Sequence, residues 1–366
     1  MKTIFVCVSN DVYNDNRVRK NSHSLSEFGL RVHLLCLKSK YNQGQKQADF
    51  VLHPIKRIFK KNFPYYAELN IRIFFTLLFK RLDIIWANDL DTLLGCFIVG
   101  KLRRKPIIFD SHEMFCQVAE LQDNPKAQKV WLCLEKFMLP KLKYVITVCD
   151  PIKDYFKNNY NIEAKVVRNI PLQNKETEGK NFPMKEKIIV WQGATNIDRS
   201  LEDIVLAMKD IDAKLYIMGS GDVIKDLEKI VSENNLKNKV ILTGRLTFEQ
   251  MMSYTKRASV GLSLDRPTNE NYRISLPNKI FEYINTATPI VCTPLPEIKN
   301  IVEKYNVGCF INEPTKENIS KTLNSILNNN ELLQTFSNNS IIAQKELSWE
   351  NEQETIFDIL KQIIKK

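Results

Sequence analysis

Short apolar runs alternate with amphipathic stretches along almost the whole chain. The apolar runs predict buried strands, and the stretches between them place apolar residues at helical spacing. Strands are predicted over residues 3–8, 31–37, 83–87, 106–109, 144–148 and 165–167, and again over 187–192, 214–218, 240–243, 259–264, 289–292 and 308–311. Helices in the first half are predicted over residues 16–27, 67–80, 91–102 and 127–139. Strands that alternate with helices form parallel sheets, so the pattern predicts an α/β fold with two Rossmann-like domains.

The polar stretch 171–186 separates the two halves. It contains Pro, Gly and charged residues but no apolar period, so we expect a linker there. The expected domains are residues 1–170 and 187–347, and helical spacing predicts a final helix over about 348–366. Ligands of parallel sheets bind at the carboxyl ends of the strands, which is where we look for functional residues.

The composition is that of a soluble globular protein, with 44% apolar and 26% charged residues among 366. No run is long and apolar enough to span a bilayer, and the N-terminus does not resemble a signal peptide. The eight cysteines are scattered and lie mostly in apolar runs, so we expect buried, reduced thiols in a cytoplasmic protein. Four His and no clustered Cys argue against a zinc site.

The net charge of +11 comes with basic clusters in the first third of the chain, at residues 17–20, 56–61, 80–81 and 101–105. Nucleic acid, acidic lipid headgroups and diphosphate substrates are all suitable partners, and a generally basic surface is the alternative. No nucleic-acid-binding motif is present, so we expect no such partner. The apolar run 71–79 predicts either a buried crossover helix or a segment lying on an anionic membrane.

Lys279 and Glu282 stand one helical turn apart at the start of a predicted helix. Lys279 and the helix amides suit a diphosphate, and Glu282 can accept hydrogen bonds from a ribose diol. The alternative is a solvated ion pair on the surface of the helix.

The run from Pro277 to Val291, P-x-K-x-x-E-Y-x-x-x-x-x-P-I-V, resembles the nucleotide-sugar-binding motif of GT-B glycosyltransferases in the large retaining family four, the glycosyl transferases group 1. The resemblance implies two Rossmann-like domains that face each other across a cleft, with a C-terminal helix that crosses back to the N-terminal domain. It implies a nucleotide-diphosphate sugar as donor, with UDP or GDP as the nucleotide, and no cofactor.

The same resemblance assigns roles within this run. Lys279 would stabilise the departing diphosphate, Glu282 would hold ribose, and the backbone at Ser275 and Leu276 would approach the diphosphate. Many members carry a second glutamate eight residues before the ribose ligand, and Ile274 stands at that position here.

Three further places on the donor side match the family. Gly193 follows a strand, and Arg199 lies six residues later, where the family grips the diphosphate; the family's second basic residue is absent. Gly219 and Gly221 form a G-x-G turn that either lies beside the nucleotide or is only a tight turn. Arg245 follows another strand, where the family places the base.

On the acceptor side, His112 and Glu113 end a D-x-H-E run that resembles the family's and implies that His112 orients the donor sugar. Asp15, Arg17 and Lys20 match a D-x-R-V-x-K variant. Arg17 and Lys20 would bind a phosphate of the donor or of a lipid-diphosphate acceptor. The alternative is that both are exposed charges of a first helical turn.

Asp89 and Asp91 form a D-x-D sequence, which holds a metal ion in the other major glycosyltransferase fold. Here it precedes a predicted helix, where Asp91 is typical of a helix N-terminus. Because Arg199 and Lys279 offer counter-charge to a diphosphate, we expect no metal.

The expected function is therefore a retaining glycosyltransferase that moves a sugar to a glycan or lipid-linked acceptor in bacterial surface polysaccharide synthesis, with peripheral contact with an anionic membrane as an option. One alternative is a GT-B-fold sugar-nucleotide epimerase, for which only His112 and Glu113 are evident as acid–base residues. A basic nucleic-acid-binding protein is the other.

Overall fold

A computed structural model describes residues 1–12, 15–38, 49–59, 62–122, 124–173 and 177–365, without the side chains of residues 119 and 120. The chain forms two compact units. Unit 1 comprises Met1–Asn169 and Glu352–Lys366, and unit 2 comprises Ile170–Asn351. Part of the first basic clusters, Lys60 and Lys61, lies outside the described residues.

The described residues of unit 1 form a seven-stranded parallel sheet in the order β3-β2-β1-β4-β5-β6-β7. Its strands are β1 (Thr3–Cys7), β2 (Arg31–Leu37), β3 (Phe50–Ile55), β4 (Ile84–Asn88), β5 (Ile107–Ser111), β6 (Tyr144–Thr147) and β7 (Lys165–Val166). Side chains of β1, β4 and β5 are buried throughout, as expected for strands covered on both faces.

Strand β3 was not among the predicted strands. Its sequence contains Pro54, which cannot donate a hydrogen bond to a neighbouring strand, and His53. β3 lies at the edge of the sheet, where proline is tolerated, and it pairs with β2 from Val32 opposite Phe50 onward.

The helices of unit 1 are α1 (Asn16–Glu27), α2 (Asn62–Phe79), α3 (Asp89–Leu102), α4 (Ala119–Gln122), α5 (Pro125–Met138) and α6 (Asp150–Tyr160). α1 begins at the predicted residue because Asp15 caps it: Asp15 Oδ1 accepts a hydrogen bond from Val18 N at 3.0 Å. α2 starts five residues before its predicted start and carries exposed as well as buried apolar residues. In the part of the chain that the structure describes, none of the helices has the length and apolar composition needed to span a bilayer.

The described residues of unit 2 form a six-stranded parallel sheet in the order β10-β9-β8-β11-β12-β13. Its strands are β8 (Ile188–Gln192), β9 (Lys214–Met218), β10 (Val240–Gly244), β11 (Val260–Ser263), β12 (Ile290–Cys292) and β13 (Gly308–Phe310). Its helices are α7 (Leu201–Ala207), α8 (Ile224–Glu233), α9 (Phe248–Arg257), α10 (Glu270–Arg273), α11 (Asn278–Asn285), α12 (Pro296–Tyr305), α13 (Lys316–Leu327) and α14 (Asn330–Glu346).

The stretch 171–186, which we expected to be a linker, belongs to unit 2. Its described residues pack on that unit: Lys180 N donates to Ser337 Oγ at 2.8 Å, and Thr177 Oγ1 donates to Asn285 O at 3.1 Å. The side chain of Lys180 is buried and donates to Thr288 Oγ1 at 2.7 Å. The absence of an apolar period misled the prediction, because polar side chains make these contacts.

The last helix, α15 (Trp349–Ile364), carries most of its residues into unit 1. Glu352 on this helix accepts hydrogen bonds from Arg168 N at 2.6 Å and from Arg168 Nη2 at 2.6 Å. The rings of Phe28 and Phe357 lie 5.3 Å apart. The C-terminal helix is thus an integral part of the N-terminal unit.

The cysteines depart from expectation at two positions. All eight are free thiols, but Cys133 on α5 is exposed and Cys309 on β13 is half-buried. Cys133 lies on the solvent side of the amphipathic helix α5. The apolar residues around it in the sequence had led us to expect that it is buried.

Candidate functional site

Lys279 is a buried cation at the start of a helix in unit 2. It is the second residue of α11, and only 6% of its surface is exposed. Its Nζ lies 4.4 Å from the centre of the Trp191 ring, at the end of β8, and 3.9 Å from Asp265 Oδ1. Burial lowers the pKa of Lys279 to about 8, against the opposing attraction of Asp265.

Asp265 joins two cations and was missed by the sequence analysis. It lies two residues beyond β11 and is fully buried. Its Oδ2 accepts a hydrogen bond from Arg199 Nη1 at 2.7 Å, while Oδ1 faces Lys279. The available signal was its place after a predicted strand, at the edge where ligands of parallel sheets bind.

Arg199 occupies a strained loop before α7. Its neighbours Asp198 and Ser200 have φ values of 67° and 52°, in the left-handed region that non-glycine residues rarely adopt. The guanidinium stacks over Tyr272, with Cζ 4.7 Å from the ring centre. Backbone strain of this kind persists where the surrounding structure holds the loop in place. Here the strained loop places the Arg199 guanidinium beside Asp265.

Several buried polar atoms at this edge of the sheet have no hydrogen-bond partner in the protein. Among the described residues of unit 2 all such side-chain atoms cluster here: Trp191 Nε1, Thr195 Oγ1, Arg199 Nε, Ser263 Oγ, Asp265 Oδ1 and Lys279 Nζ. Buried polar groups are nearly always hydrogen-bonded, so such a cluster marks a place where another molecule completes the bonding. Two of the donors are cationic, which favours an anion.

The predicted glycines of unit 2, Gly193, Gly219 and Gly221, allow close packing of two loops. A Cβ on Gly219 would lie 1.8 Å from Gly193 O, and one on Gly221 would lie 2.6 Å from Thr195 O. Gly193 itself has φ of 131°. The G-x-G turn therefore allows two loops at the carboxyl ends of β8 and β9 to approach closely.

Glu282 lies in the same region as Lys279. Gln192, the last residue of β8, donates a hydrogen bond to the Glu282 carboxylate and accepts one from Thr255 Oγ1 at 2.8 Å. Glu282 is half-buried. Gln192 is a second residue that the sequence analysis did not identify.

The other predicted donor residues lie just before α11 and just beyond β10. Ser275 Oγ donates to Tyr272 O at 2.9 Å, and Leu276 packs against the apolar core. Ile274, at the position where the resemblance implies a second glutamate, is buried. Arg245 is exposed just beyond β10.

His112 is the centre of a second constellation, in unit 1. Its Nδ1 lies 3.0 Å from Asp89 Oδ2, its Nε2 lies 3.5 Å from Asp110 Oδ2, and its backbone N donates to Asp89 Oδ1 at 2.8 Å. Although burial opposes protonation, the two carboxylates raise the pKa of His112 well above its usual value. The two carboxylates therefore favour the protonated form of the ring. Its Nε2 has no hydrogen-bond partner among the described residues.

Arg17 makes buried structural contacts, in contrast to the phosphate-binding role that we expected. It is buried, with Nη2 2.6 Å from Asp110 Oδ1 and Nη1 donating to Val167 O at 2.8 Å. Although burial opposes it, Arg17 and His112 hold the pKa of Asp110 below its usual range. Asp15 also has a structural role, because its carboxylate caps α1. Lys20 on α1 and Glu113 after β5 are half-buried.

The two carboxylates of the D-x-D sequence have separate roles. Asp89 has φ of 56° and is held by His112. Asp91 is buried with Oδ1 unbonded, and burial together with Asp89 raises its pKa to about 7. Within the described ranges, no group of three or more His, Cys, Asp or Glu side chains is placed to hold a metal ion.

Comparison with known proteins gives concordant family matches. A family model described as glycosyl transferases group 1 matches residues 173–342, and one described as glycosyltransferase family 4 matches residues 16–172. A protein described as an uncharacterized glycosyltransferase of Methanocaldococcus jannaschii is 26% identical over 211 residues. That match covers 56% of this chain and 56% of the relative, so the chain spans little more than half of that protein's length.

Solved structures resemble the chain over its whole length. Sucrose-phosphate synthase from Thermosynechococcus elongatus has a TM-score of 0.78 at 17% identity, covering 100% of this chain and 99% of that one. Anabaena HepE in complex with UDP and glucose has a TM-score of 0.78 at 12% identity, covering 99% of this chain and 100% of that one. At these identities the likeness establishes the fold.

Proposed function

Because the chain belongs to the group 1 glycosyltransferases of the GT-B fold, we propose that it transfers a sugar from a nucleotide-diphosphate sugar to an acceptor, with retention of anomeric configuration and without a metal ion. The donor nucleotide would be UDP or GDP. The HepE structures that resemble this chain contain UDP, glucose or UDP-glucose, which supports a donor of this class.

The observation that carries the proposal is the cluster of unbonded buried atoms on Lys279, Arg199 and Asp265. Two cations share a single carboxylate, so the cluster has one positive charge more than it can neutralise when Lys279 is protonated. A diphosphate supplies the missing negative charge and the missing hydrogen-bond acceptors. Negative charge grows on the diphosphate as the sugar leaves, so the two cations would stabilise the transition state more than the bound donor. This electrostatic role replaces that of a metal ion.

Glu282 would accept hydrogen bonds from the ribose hydroxyls. It is the half-buried carboxylate of α11, and Gln192 fixes its position through a hydrogen bond. The close approach of the Gly219 loop to Gly193 keeps side chains out of the neighbouring space, where backbone can face the nucleotide.

His112 would donate a hydrogen bond from Nε2 to a hydroxyl of the donor sugar. Its raised pKa makes it a poor base at neutral pH, so we assign it orientation of the sugar rather than proton abstraction. No carboxylate is assigned as an enzymic nucleophile, and the proposal is a same-face displacement in which the departing diphosphate assists. The acceptor hydroxyl would then transfer its proton to that leaving group.

The acceptor would be a glycan or a lipid-linked saccharide, in bacterial surface polysaccharide synthesis, in the cytoplasm at the inner face of the membrane. The basic clusters of unit 1 support an anionic acceptor or membrane. No cofactor enters this proposal.

A thermal-shift panel of UDP, GDP, ADP, CMP and their common sugar conjugates tests the donor assignment. A ligand at 100 times its Kd stabilises the folded protein by about 2.7 kcal/mol, so one diphosphate should raise the Tm of the wild type clearly. Glu282→Ala should lose most of that shift. Glu228→Ala, an exposed glutamate on α8 of the same unit, is the matched control and should retain it.

Three results would oppose the proposal. A panel in which no nucleotide shifts the wild type would remove the donor site. Conversion of a free sugar nucleotide without an acceptor would identify an epimerase instead. Salt-sensitive binding to arbitrary DNA that a nucleotide sugar does not affect would favour a nucleic-acid-binding protein.

A further inference from the structure

Helix α2 of unit 1 exposes large apolar side chains along one side. Phe63, Ile71 and Phe75 are 73%, 56% and 54% exposed, while Leu69 and Ile73 on the opposite side are buried. Their spacing in multiples of four places them on one side of the helix. The helix therefore packs into the core on one side and presents a second apolar side outward.

Two neighbouring helices extend this exposed surface. Phe63, Ile71 and Phe75 of α2, Ile98 of α3 and Val130 of α5 line one cavity of about 990 Å³. Ile98 is 40% and Val130 is 49% exposed. We call these five residues the apolar face. Contiguous exposed apolar patches of this kind mark interaction sites.

A second cavity of about 990 Å³ lies between α2 and the segment before it. Ile71 and Phe75 line it as well, together with Ile58 and Phe59 from the segment before the helix. Ile58 is 73% exposed and Phe59 is 49% exposed. The exposed apolar surface therefore continues from α2 onto the segment before it.

The exposed charges on the three helices that carry the apolar face have one sign, and Lys126 lines the cavity itself. Among the described side chains of α2, α3 and α5, every exposed charged residue is a lysine: Lys101, Lys126, Lys129 and Lys136. The carboxylates on these helices are withdrawn from solvent. Glu68 is held by Arg72 at 2.7 Å and by the Ile58 and Phe59 amides, and Glu135 is bonded to Tyr155 Oη at 2.8 Å.

We infer that the apolar face binds an anionic lipid bilayer, with the lysines in contact with acidic headgroups. The inference rests on the proposed function, because a lipid-linked acceptor would be presented at such a bilayer. The apolar side chains would enter the headgroup and acyl boundary while the lysines remain at its surface. A second copy of the chain fits less well, because a two-fold contact would bring the lysines of both copies together.

Vesicle flotation tests this assignment on the full chain. The wild type should float with vesicles of phosphatidylcholine and phosphatidylglycerol, and bind vesicles of phosphatidylcholine alone much more weakly. Each lysine near an anionic surface contributes about fivefold, so Lys126→Glu/Lys129→Glu should weaken binding by about 30-fold or more. Ile71→Ser/Phe75→Ser should weaken binding to both kinds of vesicle by about tenfold or more.

Matched variants in unit 2 control for general charge and polarity. Lys225→Glu/Lys229→Glu changes two exposed lysines of α8, and Ile342→Ser changes an isoleucine that is 63% exposed on α14. Both should float as the wild type does. Every variant should keep the wild-type Tm within a few degrees and its shift with the nucleotide, which shows that the fold and the donor site remain intact.

The outcomes separate the two proposals. If the wild type fails to float with anionic vesicles while a nucleotide still raises its Tm, the bilayer assignment is overturned and the donor proposal stands. If it floats but no nucleotide shifts its Tm, the reverse holds. Equal loss in the unit 2 controls, or a dimer in light scattering that Ile71→Ser/Phe75→Ser dissociates, would also overturn the bilayer assignment.

Discussion

The Asp265→Asn variant keeps the shape of the side chain and removes the negative charge that Lys279 and Arg199 share. Asp265 Oδ2 lies 2.7 Å from Arg199 Nη1, and Oδ1 lies 3.9 Å from Lys279 Nζ. Asp265 is fully buried, and neither cation has another carboxylate within 4.0 Å in the part of the chain that the structure describes. The variant therefore removes the one carboxylate that lies within 4.0 Å of both the buried Lys279 and the partly buried Arg199, among the residues that the structure describes.

The magnitude follows from that burial. Removing one partner of a buried ion pair costs about 3–5 kcal/mol, because the remaining charge stays desolvated. A domain of this size loses about 2–4 °C of Tm for each kcal/mol, so the Tm of unit 2 should fall by roughly 6–20 °C. The fall should be smaller at pH 9, since Lys279, with a pKa of about 8, loses its proton and relieves part of the repulsion.

Asp203→Asn is the matched control. Asp203 Oδ2 lies 2.6 Å from Arg266 Nη2 in the same unit, but the two side chains are 30% and 43% exposed. Exposed ion pairs contribute about 0–1 kcal/mol, so this variant should lose at most about 4 °C. The two substitutions remove the same group at nearly the same distance and differ mainly in burial.

Differential scanning calorimetry with and without the stabilising nucleotide measures both effects. A diphosphate neutralises the two cations, so the deficit of Asp265→Asn should shrink in its presence, whereas that of Asp203→Asn should not change. If the two variants lose Tm equally, or if the nucleotide leaves the Asp265→Asn deficit unchanged, then Asp265 does not neutralise the cations of an anion site.

Three further predictions concern single groups. Kd for the nucleotide should rise about tenfold per pH unit above pH about 8, because only the protonated Lys279 ammonium attracts the diphosphate. Titration calorimetry from pH 7 to 10 measures this dependence. A Kd that rises equally with pH in Lys279→Gln would contradict the prediction. Gly219→Ala should abolish the nucleotide-induced Tm shift, because its Cβ would lie 1.8 Å from Gly193 O. Gly29→Ala in unit 1 has no atom within 4 Å of the added Cβ but is strained by a φ of 91°, so it should lower the Tm and still retain the nucleotide-induced shift. Burial lowers the pKa of Lys180 to about 7, so between pH 7 and about 10.4 the unfolded chain binds a proton that the folded chain lacks. Lys180 should therefore add up to about 1.36 kcal/mol per pH unit to the free energy of unfolding there. In urea titrations Lys180→Met should lack this rise between pH 7 and about 8, below the range in which Lys279 also contributes.

The sheets could be predicted from the sequence because a buried parallel strand leaves a local trace. β2 and β9 have the predicted bounds, since each is a short apolar run with polar neighbours. β3 could not be found in this way, because Pro54 and His53 interrupt the apolar run. Its pairing with β2 at the edge of the sheet creates the strand, and that pairing has no local signature.

The residues of the candidate site differ in the same way, according to whether their role depends on local or distant partners. Lys279 and Arg199 stand in local runs with a recognisable spacing, whereas Asp265 is a single acid that meets Arg199 across 66 residues of chain. Arg17 shows the converse, because its local run suggests an exposed cation. The fold instead buries it against Asp110, 93 residues away. A residue's role was predictable where neighbours in sequence determine it, and hidden where distant partners do.

The discontinuity of unit 1 has a consequence for folding during synthesis. Unit 2 is one continuous segment, Ile170–Asn351, and can fold as soon as its last residue leaves the ribosome. Unit 1 waits for α15: Arg168 has no Glu352, and Phe28 has no Phe357, until the final residues emerge. At 5–20 residues per second, that interval lasts roughly 10–40 s after Asn169 is made. Throughout it the nascent N-terminal unit exposes the surface that α15 will cover, so chains truncated before residue 352 should be held by chaperones or degraded through unit 1, the half that was synthesised first.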